Sequence, residues 1–343
     1  MHKRRFTALV AGLMASAALG FTLPASAQSY KDEYKLSTVL GEAFPWGWGA
    51  KRWADLVAEK TDGRIKIKVY PGTSLVSGDQ TKEFTALRQG IIDLAVGSTI
   101  NWSPQVRELN LFSLPFLMPD HKAIDALVDG RVGSKVFEIL AARDVVPLAW
   151  GENGFREISN SKHPIRTPED LKGLKMRVVG SPLFLATFTA LGANPTQMSW
   201  ADAQPAMATG AVDGQENPLA VFSAAKLQTV GQKHLTLWGY VADPLIFVVN
   251  EKVWKSWSEA DREAVRAAAL QAGEEQTARA RAGISAEDDS VLKDIEASGV
   301  SVVRLSEAER EAFRKATAGV YQEWSGRVGA ELVKQAEEDI AAR

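Results

Sequence analysis

Residues 167–177 read TPEDLKGLKMR and residues 211–218 read AVDGQENP, and the fold is decided by what these two stretches require. Thr167-Pro168-Glu169-Asp170 is a helix start. It has a threonine cap, a proline at the first helical position, and an aspartate placed to accept orphan backbone N–H groups. Residues 174–179 then read as a strand, and Ser181-Pro182 caps a further helix that Gly192 ends. The pleat sends Leu174, Met176 and Val178 to one face and Lys175, Arg177 and Val179 to the other. A lone arginine is thus set in an otherwise apolar strand, near its carboxyl end. Open α/β sheets bind ligands outside the carboxyl ends of strands, beside helix N-termini that attract anions. Such a guanidinium grips a carboxylate with two parallel hydrogen bonds, or it makes a structural ion pair. The residues alone leave both open. AVDGQENP reads as a tight polar turn that presents Asn217 to the same pocket.

Working outward, strand and helix signals alternate through the first 240 residues, the pattern of α/β architecture. Strands are expected over 34–39, 64–70, 91–96, 144–151 and 240–250, and helices near 53–60 and 81–89. Residues 41–49 form a loop rich in glycine and aromatic side chains. Ser199-x-x-Asp202 starts another helix. Beyond Ser258 an Ala-, Glu- and Arg-rich helical tract runs to about Gly299, with a break near Gly283. A strand over 300–305 and a final amphipathic helix, opened by the capping box Ser306-x-x-Glu309, complete the chain. No Gly/Ser/Pro linker separates the halves, so two lobes that exchange chain several times are expected. Their expected extents are 28–152 with about 242–283, and 153–241 with about 284–343.

The first 27 residues have the form of an export signal: Lys3, Arg4 and Arg5, an apolar core, then Ala25-Ser26-Ala27. No other stretch reaches the roughly 18 apolar residues of a membrane span, so no membrane insertion is expected after its removal. Cleavage leaves 37 basic against 42 acidic side chains, a formal charge of −5. That balance argues against nucleic-acid binding, which wants a basic face. The chain has no cysteine, so stability must come from a sizeable core rather than from disulfides.

Catalytic chemistry leaves no local mark. His121, His163 and His234 lack ligand-like spacing and read as surface or turn residues. No G-x-S-x-G, H-E-x-x-H or phosphate-loop motif occurs, and no cofactor is expected. Arg156, in NGFR at 153–156, follows a strand ending at Gly151 and could supply a second donor to an anion; taken alone it reads as a surface arginine. Phe44, Trp46, Trp48, Trp102 and Trp200 sit in loops or at helix starts. Aromatics so placed pack in the core or line a cleft, and one or two of the set are expected in the site.

The sequence resembles the DctP-type substrate-binding proteins of tripartite ATP-independent periplasmic (TRAP) transporters along essentially the whole exported chain. The carrying residues are PGTSLVSGDQ at 71–80, GIIDLAVGS at 90–98, LNLFSLPFLMPD at 109–120, FREISNSKHPIRTPEDLKGLKMRV at 155–178 and GAVDGQENP at 210–218. The resemblance implies a two-lobed α/β periplasmic-binding fold with a long hinge-spanning helix, closing over a small organic acid. It matches Arg177 to the family's carboxylate-binding arginine, Arg156 to its frequent second arginine, Asn217 to the asparagine of the QEN segment, and Trp200 to an aromatic position. Less directly it matches 44–48, with Phe44 and Trp46, and 98–102, with Asn101 and Trp102. Sialic-acid-binding members carry Glu and Arg in that last segment. Ser98 and Asn101 stand there in this chain, which points away from such large sugar acids. A periplasmic location, a carboxylate ligand and integral-membrane permease subunits as partners follow from the resemblance. A sensory binding protein with the same pocket is the alternative. An exported enzyme finds no catalytic histidine or cysteine to support it.

Overall fold

The computed structural model describes residues 30–343, so the export signal read at 1–27 lies outside the described residues. Ten strands occur among the described residues: β1 (Tyr34–Thr38), β2 (Ile67–Tyr70), β3 (Leu94–Ser98), β4 (Val145–Asn160), β5 (Lys175–Val178), β6 (Asn194–Gln197), β7 (Gly214–Pro218), β8 (His234–Leu237), β9 (Ala242–Asn250) and β10 (Ser301–Arg304). They run β2-β1-β3-β9-β4-β7-β5-β6, with β8 also on β4 and β10 on β8. Pairing is parallel for β1 with β2 and β3, and for β5 with β6; β9 and β4 run antiparallel to their neighbours. Every residue of β3 and β9 is buried, as expected of strands covered by helices on both faces. This is the two-lobed periplasmic-binding architecture.

One strand joins the two halves. The sequence pattern ends it at Gly151, but β4 runs on to Asn160, 16 residues in all. Its first part pairs with β9, and its last residues pair with β7 on one side and β8 on the other. Glu152, Asn153, Arg156 and Glu157 hid this extension, because buried polar residues break the apolar pattern on which strand recognition rests. Register shifts at Pro147/Ala149 and Glu152/Gly154 bend the strand where it passes between lobes. Gly154 takes φ +113° there, a conformation open to glycine.

Two further expectations are corrected. Residues 41–49 are not all loop, since Pro45 opens the helix Pro45–Lys60. Its glycines serve close approach: a Cβ on Gly47 would lie 2.1 Å from the Gly41 carbonyl oxygen, and one on Gly49 2.4 Å from Gln276. AVDGQENP is not a turn either. Its second half is β7, held antiparallel to β4 with Glu157 opposite Asn217.

The long helix Glu259–Arg281 lies on the helix Pro45–Lys60 and on β4. Ala268, Ala269, Ala272 and Gly273 are buried along it, and a Cβ on Gly273 would meet the Trp150 carbonyl at 2.3 Å. Gln276 on this helix is buried and clasps the backbone of β4. Its Oε1 accepts from Glu152 N at 2.8 Å and its Nε2 donates to Glu152 O at 2.7 Å. The capping boxes read at Thr167/Asp170 and Ser306/Glu309 are both formed, whereas Ser199 caps its helix without its side chain. The final helix breaks at Gly329, and its last part, Ala330–Ala341, packs on helices His121–Val128 and Arg131–Ala141.

Candidate binding cleft

Arg177 leaves β5 and is 1% exposed. Its Nε donates to the Met198 carbonyl at 3.0 Å, while its Nη2 is buried with no partner. It makes no ion pair with any described residue, and its guanidinium lies 5.8 Å from the Trp200 ring centre. Burial pushes its pKa down to about 10; Glu216 opposes this and Arg156 adds to it. At neutral pH the group remains a cation, enclosed and uncompensated.

Arg156 behaves differently. The expectation of a surface arginine is overturned: it is 2% exposed because β4 carries it into the interior between β7 and β9. Its Nε and Nη2 fork onto the two carboxylate oxygens of Glu216, Nη2 lying 2.8 Å from Oε1. Nη2 also donates to the Glu216 carbonyl at 2.7 Å, and Nη1 lies 3.4 Å from Asp243 Oδ2. Burial alone would lower this guanidinium's pKa, but the carboxylates of Glu216 and Asp243 outweigh it and the net direction is upward.

Asp243, on β9, receives Ser98 Oγ at 2.5 Å and Asn153 Nδ2 at 2.9 Å. Burial raises its pKa against the pull of Arg156, Ser98 and Asn153. Tyr240 donates its hydroxyl to Glu216 at 3.1 Å.

Arg177, Arg156, Asn153 and Asp243 face one cleft with Val39, Leu40, Trp46, Gln80, Asn101, Val179, Trp200 and Asn217, and Glu216 lies behind them on Arg156. Gln80 ties its walls together, donating to Asn101 Oδ1 at 2.6 Å and accepting from Trp200 N at 2.9 Å. Asn217 donates its side-chain amide to Gln215. Of the residues singled out from sequence, Arg177, Arg156, Asn217, Trp200, Trp46 and Asn101 are brought together. Phe44 and Trp102 are not. Phe44 precedes a helix and packs against the core of its own half. Trp102 is fully buried, donates its indole N–H to Glu83 at 3.1 Å, and stacks near Phe84, because Gly97 leaves room for its ring. The histidines stand apart: His121 beside Glu152, His163 in a turn, His234 half-buried on β8 rather than at the surface.

Sequence reading missed Gln80, Asn153, Glu216 and Asp243. Asp243 had carried a legible signal, a lone acid opening the apolar run 242–250, the mirror image of Arg177. The cavity left between all these groups is about 20 Å3, room for one or two waters. Grooves of about 450–470 Å3 exist elsewhere on the surface, but they do not contain an unpaired, enclosed cation. No ligand reaches Arg177 unless the walls part.

Residues 36–327 match the model of the bacterial extracellular solute-binding protein family 7, DctP. The chain belongs to this family. A TRAP periplasmic solute-binding protein from Ralstonia eutropha, solved with bound (S)-2-hydroxy-2-methyl-3-oxobutanoate ((S)-2-acetolactate), is 68% identical, with a TM-score of 0.91 over 92% of this chain and 100% of that one. The sugar acid binding protein of Advenella mimigardefordensis, solved with galactonate, is 29% identical, with a TM-score of 0.84 over 90% and 98% of the two chains. The 2,3-diketo-L-gulonate-binding periplasmic protein of Escherichia coli is 31% identical over 91% of this chain and 90% of its own. These DctP relatives are binding proteins for small organic acids, not enzymes. Among the described residues no helix is long and apolar enough to cross a membrane.

Proposed function

We propose that this DctP-family protein captures a small organic acid in the periplasm and delivers it to the membrane permease of a TRAP transporter. The observation that carries the proposal is Arg177: a buried guanidinium with an unpartnered Nη2 and no ion pair among the described residues. A ligand carboxylate completes it with forked, charge-assisted hydrogen bonds. Asn101, Asn217, Gln80 and Asn153 offer polar contacts to a hydroxyl or carbonyl, and Trp46, Trp200, Val39, Leu40 and Val179 enclose the carbon skeleton. The 68% identical relative binds 2-acetolactate, and a branched 2-hydroxy acid of that size is the ligand proposed for this chain.

In this reading residues 28–152 with about 242–283 form one lobe, and 153–241 with about 284–343 the other, the terminal helix reaching back to the first. The lobes close by bending at β4 and β9, and the permease recognises the closed form. A thermal-shift screen of organic acids, followed by calorimetry, tests the proposal. 2-Acetolactate should stabilise the protein by about 2.7 kcal/mol at a hundredfold excess over Kd. Absence of any shift with small 2-hydroxy or 2-keto acids would overturn it.

A further inference from the structure

The cleft contains more charge than a carboxylate grip needs. Arg156 is enclosed by Glu216 and Asp243, and that trio carries one net negative charge when all are ionised. Arg177 supplies the single positive charge left without a local partner. A ligand therefore meets both a lone cation and an acid in one cavity of about 20 Å3. We propose that Asp243 fixes the charge class of the ligand: the cleft accepts one carboxylate, at Arg177, and rejects a second one beside Asp243.

Hydrogen-bond geometry supports this as much as charge does. The hydrogens pointing at Asp243 already come from this chain: Ser98 Oγ at 2.5 Å, Asn153 Nδ2 at 2.9 Å and Arg156 Nη1 at 3.4 Å. Carboxylate oxygens keep spare lone pairs, so Asp243 still offers acceptors to a ligand hydroxyl. Its neighbours have little left for a second ligand anion. Asn153 is engaged with Asp243, and two nitrogens of Arg156 are engaged with Glu216. Val39 and Leu40, which also line the cavity, suit a methyl group rather than a charge. Arg156, the second cation of the cleft, therefore does not act as a second carboxylate receptor. It is neutralised from within and holds Asp243 and Glu216 in place. The inference rests on the ligand class proposed above and narrows it to monocarboxylates whose far end is neutral.

The experiment compares two acids of one skeleton by calorimetry. One is 2-hydroxy-2-methyl-3-oxobutanoate. The other is 2-hydroxy-2-methylpropanedioate, in which a carboxylate oxygen replaces the acetyl methyl group. The unmodified protein should prefer the monoanion by about 100-fold or more, because facing like charges in a desolvated site costs several kcal/mol. Asp243→Asn keeps shape and removes charge, and should narrow the preference at least about tenfold by gaining affinity for the dianion. Equal binding of both acids by the unmodified protein, a result that needs no variant to fold, overturns the inference. So does an unchanged preference in a folded Asp243→Asn protein. Binding of neither acid by the unmodified protein overturns the ligand reading itself, and this inference with it.

Discussion

Replacing Arg177 with methionine should do two things at once: abolish tight ligand binding and let the empty protein close. In the closed cleft the guanidinium has one hydrogen bond to Met198 and a nitrogen without a partner. Burial moves its pKa from 12.5 to about 10, so enclosing the cation costs about 3 kcal/mol at 1.36 kcal/mol per unit. A carboxylate at about 4 Å returns about 4 kcal/mol at an effective dielectric near 20. The two terms nearly cancel. Closure is therefore unfavourable when empty and becomes favourable only when an anion arrives. Methionine removes the penalty and the attraction together, and it leaves the ligand carboxylate buried with no cation beside it, the larger cost. Affinity should fall by about 2–5 kcal/mol, roughly 30-fold to several thousandfold, measured by calorimetry. Small-angle X-ray scattering should show the ligand-free variant as compact as the loaded natural protein, and insensitive to ligand. Arg177→Lys should recover part of the affinity, because an ammonium cannot make the forked contact. Affinity of Arg177→Met within threefold of the natural protein, or an empty variant as extended as the empty natural protein, would refute the reasoning.

Other positions give independent tests. Glu216→Gln leaves Arg156 buried with only Asp243 nearby and should destabilise the fold by about 3–5 kcal/mol in urea unfolding; a loss below about 1 kcal/mol would contradict a buried, tightly coupled pair. Gln276→Leu strips both backbone partners from Glu152, and each group left unpaired should cost about 1–3 kcal/mol, read by the same method. Glu83 is enclosed by Ser37 and Trp102, and burial raises its carboxyl to about 7 from 4.5. An acid whose pKa rises on folding binds its proton more tightly in the native state. Its stabilising contribution is therefore full below about pH 4.5 and is lost as pH rises through about 7. Thermal melts should show a fall from pH 5 to pH 8 that is shallower in Glu83→Gln; identical slopes would remove Glu83 from the pH response.

What could be read from sequence followed the reach of each signal. Capping boxes at Thr167 and Ser306 and the apolar run of β9 are local patterns, and they stand in the structure where they were placed. The second half of β4 was illegible because its side chains are polar and buried, and only pairing with β7, β8 and β9 makes that arrangement stable. The helix beginning at Pro45 was hidden by its glycines, which read as loop residues until the approach of Gln276 and the Gly41 carbonyl explains them. Arg177 and Asp243 left the same mark, one charge in an apolar strand. Read with equal weight, that mark would have located both charged groups of the cleft. The pairing of Arg156 with Glu216 could not be read, since sequence does not state strand register.

The placement of the charges on the sheet suggests why an ion trio is kept where apolar packing would serve stability as well. Asp243 lies opposite Gly154 in the β4–β9 pairing, and Arg156 follows two residues on, where β4 leaves β9 for β7. Arg156, Glu216 and Asp243 thus sit where β4 changes partner, and in the proposed closing motion they lie near the bend and move little. Arg177 stands on β5, beyond β7, with β6 outside it, and in the same proposed motion it swings with that part of the sheet. In the proposed cycle the trio is a fixed polar floor of set charge, and Arg177 is the element that arrives. Selectivity for one negative charge then resides in the stationary groups, and the free energy of closure in the moving one. The two properties should separate by mutation: Asp243→Asn should alter which acid binds while closure persists, and Arg177→Met should alter closure whatever acid is offered. A single variant at either position that changed both in proportion would show that floor and clamp act as one unit.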